Sequence, residues 1–319
     1  MSVRDIIMIV VTFAAMLAGA FLPQFADPLR PFPRLCLMVL LYLGFLSVGT
    51  EALYAEVRSI PARILEFTAL RLLILPLFCF AVFQILMPDY ALGAFLVGTA
   101  SVGVMAPVFS NMVKADTSFV LVTCLSTSLL LPFSMPILLS VLDGTVRSLG
   151  ICELSLPRDL SMTDMMLSLC VSILLPFFAA FITRKMPKVT LRILKKQYYL
   201  ALVINSLSVL AVFSQYASVL HQEPGMVIDA LVGSFLLAVL MILAGLAMPR
   251  SIPGKQRLAF MIGFGTMNNG MMLVISMQFF TVHEALLAAI YTIPFNLLLL
   301  VYRFLSVRWY GKEESSDRA

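Results

Sequence analysis

Two short stretches of polar residues sit inside otherwise apolar sequence, and their side chains are the kind that bind ligands. The first is Gly98-Thr99-Ala100-Ser101-Val102-Gly103; the second is Gly263-Phe264-Gly265-Thr266-Met267-Asn268-Asn269-Gly270. Hydroxyls and amides both donate and accept hydrogen bonds, so Thr99, Ser101, Thr266, Asn268 and Asn269 can hold the polar atoms of a solute. They can equally satisfy backbone groups freed where a helix unwinds, and the residues alone leave both roles open. Gly98, Gly103, Gly263, Gly265 and Gly270 are the residues that would permit such breaks. A hydroxyl-rich run, Thr123-Cys124-Leu125-Ser126-Thr127, follows the first stretch. Arg71 is the remaining chemical feature. A guanidinium in the middle of an apolar helix costs about 2.5–3.5 kcal/mol on insertion scales, so such residues face the protein interior and mark pathways. Its planar fork suits a carboxylate. The alternative is pairing with an acidic group, for which Glu51, Glu56 and Asp116 are candidates, or snorkelling. Glu66, five residues away, is not on the same helix face.

The elements that carry these residues are membrane spans. The chain has 319 residues, of which 61% are hydrophobic and 12% charged, against about 25% charged in an ordinary soluble domain. A helix needs about 20 apolar residues to cross the hydrocarbon core. Ten segments meet that ruler, near 6–25, 35–50, 62–87, 90–111, 115–142, 162–183, 198–220, 226–248, 257–280 and 283–307. The first resembles a signal peptide, with Arg4 ahead of it and Ala18-Gly19-Ala20 after it, but its apolar run is long for that role. With the N-terminus inside, 17 of the 22 Lys and Arg fall on the cytoplasmic side, four fall outside and Arg71 lies within a span. That bias predicts both termini cytoplasmic. The longest polar connection, near 143–161, divides the spans into two sets of five, which an odd count forces into opposite orientations. Each glycine-rich stretch falls in the fourth span of its set. Paired interrupted helices at corresponding places in two halves point to the binding site of a secondary transporter. The expected architecture is an all-α polytopic membrane protein forming one transporter domain over 1–319. Repeat one covers about 1–150, repeat two about 151–310, and a disordered tail about 311–319.

The rest of the sequence excludes other classes. Cys36, Cys79, Cys124, Cys152 and Cys170 show neither close pairing nor metal-ligand spacing, and four of them read as small buried hydrophobes. His221 and His283 lie beside short loops. The 20 methionines are spread through apolar spans as packing residues. The net charge of +5 follows from topology rather than from nucleic acid, and the cluster from Arg184 to Lys196 reads as a topology determinant. Lys114 and Asp116 read as an interfacial pair beyond the fourth span. No span offers a nucleophile with a base, or a metal cluster, so an enzyme is not expected. The expected partners are a small organic anion and the lipid bilayer, and a prokaryotic inner membrane is the expected location. No cofactor is expected. Oligomeric state is not readable from the sequence.

Gly98-Thr99-Ala100-Ser101, the Thr123–Thr127 run, Gly265-Thr266-Met267-Asn268-Asn269-Gly270 and Pro76 in the third span resemble the bile acid:sodium symporter family. The resemblance implies ten helices in a panel and a core domain, crossed broken helices four and nine, and sodium-coupled uptake of organic anions. On that resemblance Arg71, Ser101, Thr123 and Asn268 would line the central site, with Thr99, Ser126, Thr127, Thr266 and Asn269 beside them. The family pattern has oxygen-bearing side chains where this chain has Arg71, Val102, Phe119, Gly263 and Met267; only Ser101 and Thr123 stay in register. Sodium wants oxygen ligands, so the depletion weighs against two-sodium coupling, and Arg71 stands where a sodium ligand would sit. An auxin-efflux-type carrier and a non-transporting membrane sensor or binding scaffold are the alternatives.

Overall fold

The structure is a computed structural model that describes residues 3–29, 31–47, 58, 60–150, 154, 156–157, 160–249 and 252–310. Glu51, Glu56, Cys152 and the tail at 311–319 lie outside the described residues. The described residues form helices joined by short connections, with no strands, as in a polytopic membrane protein. The helices are α1 (Val3–Phe21), α2 (Pro33–Ser47), α3 (Pro61–Leu86), α4 (Ala91–Thr99), α5 (Ala106–Met112), α6 (Thr117–Leu149) and α7 (Met162–Arg184). They continue with α8 (Pro187–Gln215), α9 (Ala217–Gln222), α10 (Pro224–Leu246), α11 (Gly254–Gly265), α12 (Asn269–Phe279), α13 (Val282–Ile290) and α14 (Thr292–Tyr310).

Among the described residues six stretches are long and apolar enough to cross a membrane: α3, α6, α7, α8, α10 and the α13–α14 pair over Val282–Trp309. Four expected spans fall short of that measure for identifiable reasons. The spans expected near 90–111 and 257–280 are each divided into two half-helices, α4–α5 and α11–α12. α2 has 15 residues, about 22 Å at 1.5 Å per residue, and the residues after Ser47 are not described. The described apolar part of α1 is Val10–Phe21. Large apolar side chains such as Leu65, Ile85, Phe178 and Phe304 stand 55–80% exposed along the helices, as lipid-facing residues do.

One expectation about loops is corrected. The polar connection expected at 143–161 begins later, because α6 runs on to Leu149 and stops at Gly150, whose φ of +61° closes the helix in the left-handed region. The added turns are held by an Arg147–Asp143 ion pair at 2.9 Å, one helical turn apart. The basic cluster after Arg184 is also helical: Pro187 occupies the first turn of α8, where its missing N–H costs nothing.

The helices form two bodies. α1, α2, α7 and α8 pack on one another, and α3 to α6 pack with α10 to α14. The bodies meet where α6 leads into α7, where α9 joins α1 and α8 to α10, and where α12 lies against α2 and α7. At one end of the larger body Arg63 donates to Gln256 Oε1, and Gln256 reaches Asp116 Oδ2 at 3.5 Å. Asp116 itself is the N-cap of α6, accepting from Phe119 N–H at 3.0 Å, and Arg257 stacks over Trp309 at the same end. At the opposite end Tyr90 meets His283 edge to face and donates to the Met226 carbonyl at 2.7 Å. His283 is therefore half-buried against a ring, whereas His221 is exposed beside Phe21.

Candidate functional site at the crossing of two broken helices

Half-helices α4 and α11 approach each other from opposite ends of the larger body and stop at its centre. There the chain passes from α4 to α5 and from α11 to α12 through a pair of backbone hydrogen bonds. Gly103 N–H donates to Thr266 O at 2.8 Å, and Asn268 N–H donates to Ser101 O at 2.8 Å. They enclose an antiparallel bridge between Val102 and Met267. Each unwound strand thus satisfies the other's freed backbone, which is the condition for irregular backbone at membrane depth.

The glycines do different work from what a broken helix suggests. Among the described residues Gly150 is the one glycine with positive φ, so the breaks need no left-handed residue. Gly103 alone lies in the unwound stretch, and a Cβ there would stand 2.6 Å from Met267 O. Gly98, Gly263 and Gly265 sit inside the last turns of α4 and α11 and permit close packing instead. A Cβ would meet Pro76 Cα at 3.0 Å, the Phe67 ring at 2.5 Å and the Tyr302 hydroxyl at 2.2 Å, respectively. Gly270, in the first turn of α12, has Leu37 as its nearest neighbour at 3.7 Å.

Helix α6 supplies the remaining partners of the crossing. Thr127 Oγ1 accepts from Val102 N–H at 3.1 Å, while its own proton goes to Thr123 O at 2.6 Å. Cys124 Sγ lies 3.3 Å from Val102 O and donates to it. The thiol that composition assigns to packing therefore caps a freed carbonyl, and Thr127 does the same for a freed amide. The hydroxyls of Thr123 and Thr99 donate into their own helices, to Phe119 O at 2.9 Å and Leu96 O at 2.7 Å. Ser126 turns towards α3, 3.3 Å from Thr68 Oγ1. Asn269 turns towards α14, where its amide donates to Thr292 Oγ1 at 2.8 Å. Asn268 caps α12, its Oδ1 accepting from Met271 N–H at 3.4 Å.

Three polar groups at the crossing have no protein partner although they are buried: Ser101 Oγ, Thr266 Oγ1 and Asn268 Nδ2. Asn269 Oδ1, beside them in sequence, is likewise buried without a partner. A buried polar atom left unpaired costs about 1–3 kcal/mol, so each calls for an explanation, and a ligand is one.

Arg71 lies fully buried behind the crossing. It stands in a π-helical turn, Leu70–Ile74, closed by Leu75 N–H donating back to Leu70 O. Pro76 explains that turn, since it has no N–H for the Leu72 carbonyl and its ring crowds the preceding turn. Gly98 packs directly on Pro76, which brings Arg71 Nη1 to donate to the Gly98 carbonyl at the C-terminal end of α4. Nε and Nη2 find no partner. Asp116 is occupied at the N-cap of α6, so the pairing of Arg71 with Asp116 does not occur. The C-terminal end of α11 is served by two tyrosines that sequence reading passed over. Tyr291 donates to Gly265 O at 3.0 Å and Tyr302 to Met261 O at 3.3 Å. Around them Phe67 stacks on Phe264 at 4.9 Å, and Phe119 stacks on Phe260 at 4.9 Å. Phe119 and Gly263, two positions where the resemblance expects oxygen ligands, thus belong to a cluster of rings.

The crossing faces the smaller body through α2. Gly44 meets Val104 so closely that a Cβ would stand 2.4 Å from its Cγ1. A narrow apolar cleft runs between Gly44 and Phe45 on α2, Val104 of the first break, Pro107 at the start of α5, and Cys124. Two turns away Leu37 faces Gly270 of α12. On the other flank of α12, Ser168 of α7 donates to Gln278 Oε1 at 3.0 Å.

A polytopic helical membrane protein built around two crossed, interrupted helices has the form of a secondary transporter. The sequence model of the Sodium Bile acid symporter family matches residues 34–223, and the chain belongs to that family. The match spans Arg71, the first break and the Thr123–Thr127 run, and ends before the second break. No curated protein matches the chain.

Proposed function

We propose that the protein carries a small organic anion across the membrane by alternating access, with the solute held at the N-terminal end of α12 beside Ser101 and Asn268. The observation that carries this reading is the set of buried, unpartnered groups flanking the backbone bridge, Ser101 Oγ and Asn268 Nδ2 with Thr266 Oγ1 beside them. The N-terminus of α12 adds the positive end of a helix dipole, which favours an anion. Fitted to the family, α4–α5 and α11–α12 are spans four and nine of ten, in two inverted repeats meeting near residue 150. The antiparallel sense of the Val102–Met267 bridge supports inversion, because inverted halves bring equivalent segments together running oppositely. The ends that gather around Asp116 and Gln256 are those the positive-inside count assigns to the cytoplasm, which supports cytoplasmic termini; a prokaryotic inner membrane remains the assigned location. The smaller body serves as the panel and the larger as the core, within one transporter domain.

Two-sided accessibility tests this without knowledge of the solute. Ser101→Cys is placed in a chain whose five native cysteines are replaced by serine or alanine. It is then exposed to a membrane-impermeant maleimide in right-side-out and in inverted vesicles. Alternating access predicts labelling from both faces. A binding scaffold predicts labelling from one face or neither, and that result would overturn the transport reading.

A further inference from the structure

We infer that Arg71 is a tethered counter-ion for the crossed half-helices, so that the carrier moves its anion with no metal cation as co-substrate. The inference rests on the transport reading above and deepens it. Broken-helix transporters coordinate coupling cations at half-helix C-terminal ends, where unwound carbonyls and the negative end of the dipole converge. Here two such ends meet, those of α4 and α11, and both are already served by the chain's own donors. At α4 the Arg71 guanidinium takes the Gly98 carbonyl and supplies a full positive charge to the helix end. At α11 the Tyr291 and Tyr302 hydroxyls take the Gly265 and Met261 carbonyls. Phe67 lies against Gly263 in the last turn of α11, with Phe264 stacked on its ring. A hard cation wants several oxygen ligands at once; here the Gly98, Gly265 and Met261 carbonyls are engaged, and the Phe67 ring fills the space beside Gly263. Protons have no evident carrier at this place either. Among the described residues the one buried carboxylate is Glu284, and its Oε2 closes the capping box of α13, accepting from Thr281 N–H at 2.9 Å.

A tethered charge has a thermodynamic consequence that a bound ion does not. Arg71 returns to its starting position at the end of every cycle, so it contributes nothing to the driving force. The net charge moved is that of the solute alone. An inside-negative potential then favours a monovalent anion outside by roughly fifty-fold per 100 mV. The inference thus assigns the protein to anion efflux or anion-for-anion exchange rather than concentrative uptake.

The test is the melting temperature of the purified protein in sodium against choline at equal ionic strength, for wild type and Arg71→Gln. Wild type is expected to melt at the same temperature in both salts. Arg71→Gln, which vacates the Gly98 carbonyl end, is expected to gain a sodium-dependent rise of a few degrees, since a ligand that binds only the folded state raises its stability. If Arg71→Gln is unstable in choline, high sodium is expected to restore its folded yield. Sodium stabilisation of wild type overturns the inference. So does an Arg71→Gln protein, folded or unstable, on which sodium has no effect. These outcomes are independent of two-sided labelling at position 101, so failure of the coupling argument is distinguishable from failure of the transport reading.

Discussion

Gly103→Val is expected to abolish the folded protein, measured as loss of a monodisperse solubilised fraction and of a cooperative melting transition. The reason is backbone geometry. A Cβ at position 103 would lie 2.6 Å from Met267 O and 2.9 Å from its carbonyl carbon. Those atoms belong to the strand that Gly103 itself hydrogen-bonds, through Gly103 N–H and Thr266 O at 2.8 Å. Ordinary overpacking costs about 1–3 kcal/mol because side chains can yield. Here backbone meets backbone, and separating the strands also breaks the two bonds that pair the unwound segments, each leaving buried groups unsatisfied at about 1–3 kcal/mol. Gly270→Ala is the matched control. It lies in the first turn of α12 with its nearest neighbour 3.7 Å away, and alanine is the better helix former by about 1 kcal/mol. It is expected to melt at or slightly above the wild-type temperature. A folded Gly103→Val protein with a wild-type transition would show that the crossing is not a close backbone contact.

Gly44→Leu is expected to remove two-sided access while leaving the protein folded. Gly44 belongs to the panel, and Val104 to the first break in the core. A side chain at 44 collides with Val104 Cγ1 at 2.4 Å, but the obstacle is a side chain on another body, so the bodies can separate rather than unfold. The arrangement described here, in which α2 closes on the crossing, becomes inaccessible. In the Ser101→Cys labelling experiment the variant is expected to lose at least tenfold in reaction rate from one face and to keep the other. Val104→Ala should restore part of the loss in the double mutant, because residues in contact couple. Equal labelling from both faces in Gly44→Leu would show that this contact does not set the closed state.

The two breaks are visible in the sequence because glycine and amide residues interrupt runs that are otherwise uniformly apolar. Their pairing is not, since Val102 and Met267 are far apart in the chain and nothing local specifies an antiparallel bridge. Arg71 stands out as a charge in an apolar span, yet its partner is the Gly98 carbonyl, and backbone acceptors leave no mark in sequence. Tyr291 and Tyr302 carry no mark as supports for the same reason, and Thr127 and Cys124 read as a lining and a packing residue although their polar atoms serve freed backbone. Gly263 and Gly265 mislead in the opposite direction: their value is the room they leave for Phe67 and for Tyr302, not conformational freedom. The helical extensions of α6 and α8 were hidden because charged residues at the ends of spans look like loop in a hydropathy reading, whereas Arg147 and Asp143 pair along a helix.

Transport as proposed requires that panel and core be two bodies with more than one arrangement about the crossing. Paired spin labels at Val203 on α8 and Val239 on α10, both exposed positions, report their separation in a bilayer. A second pair, Val171 on α7 with Val203, reports distances inside the panel. Wild type and Gly44→Leu measured side by side are predicted to differ in the panel-to-core distance distribution and to agree within the panel. Superimposable panel-to-core distributions in the two proteins would contradict the account.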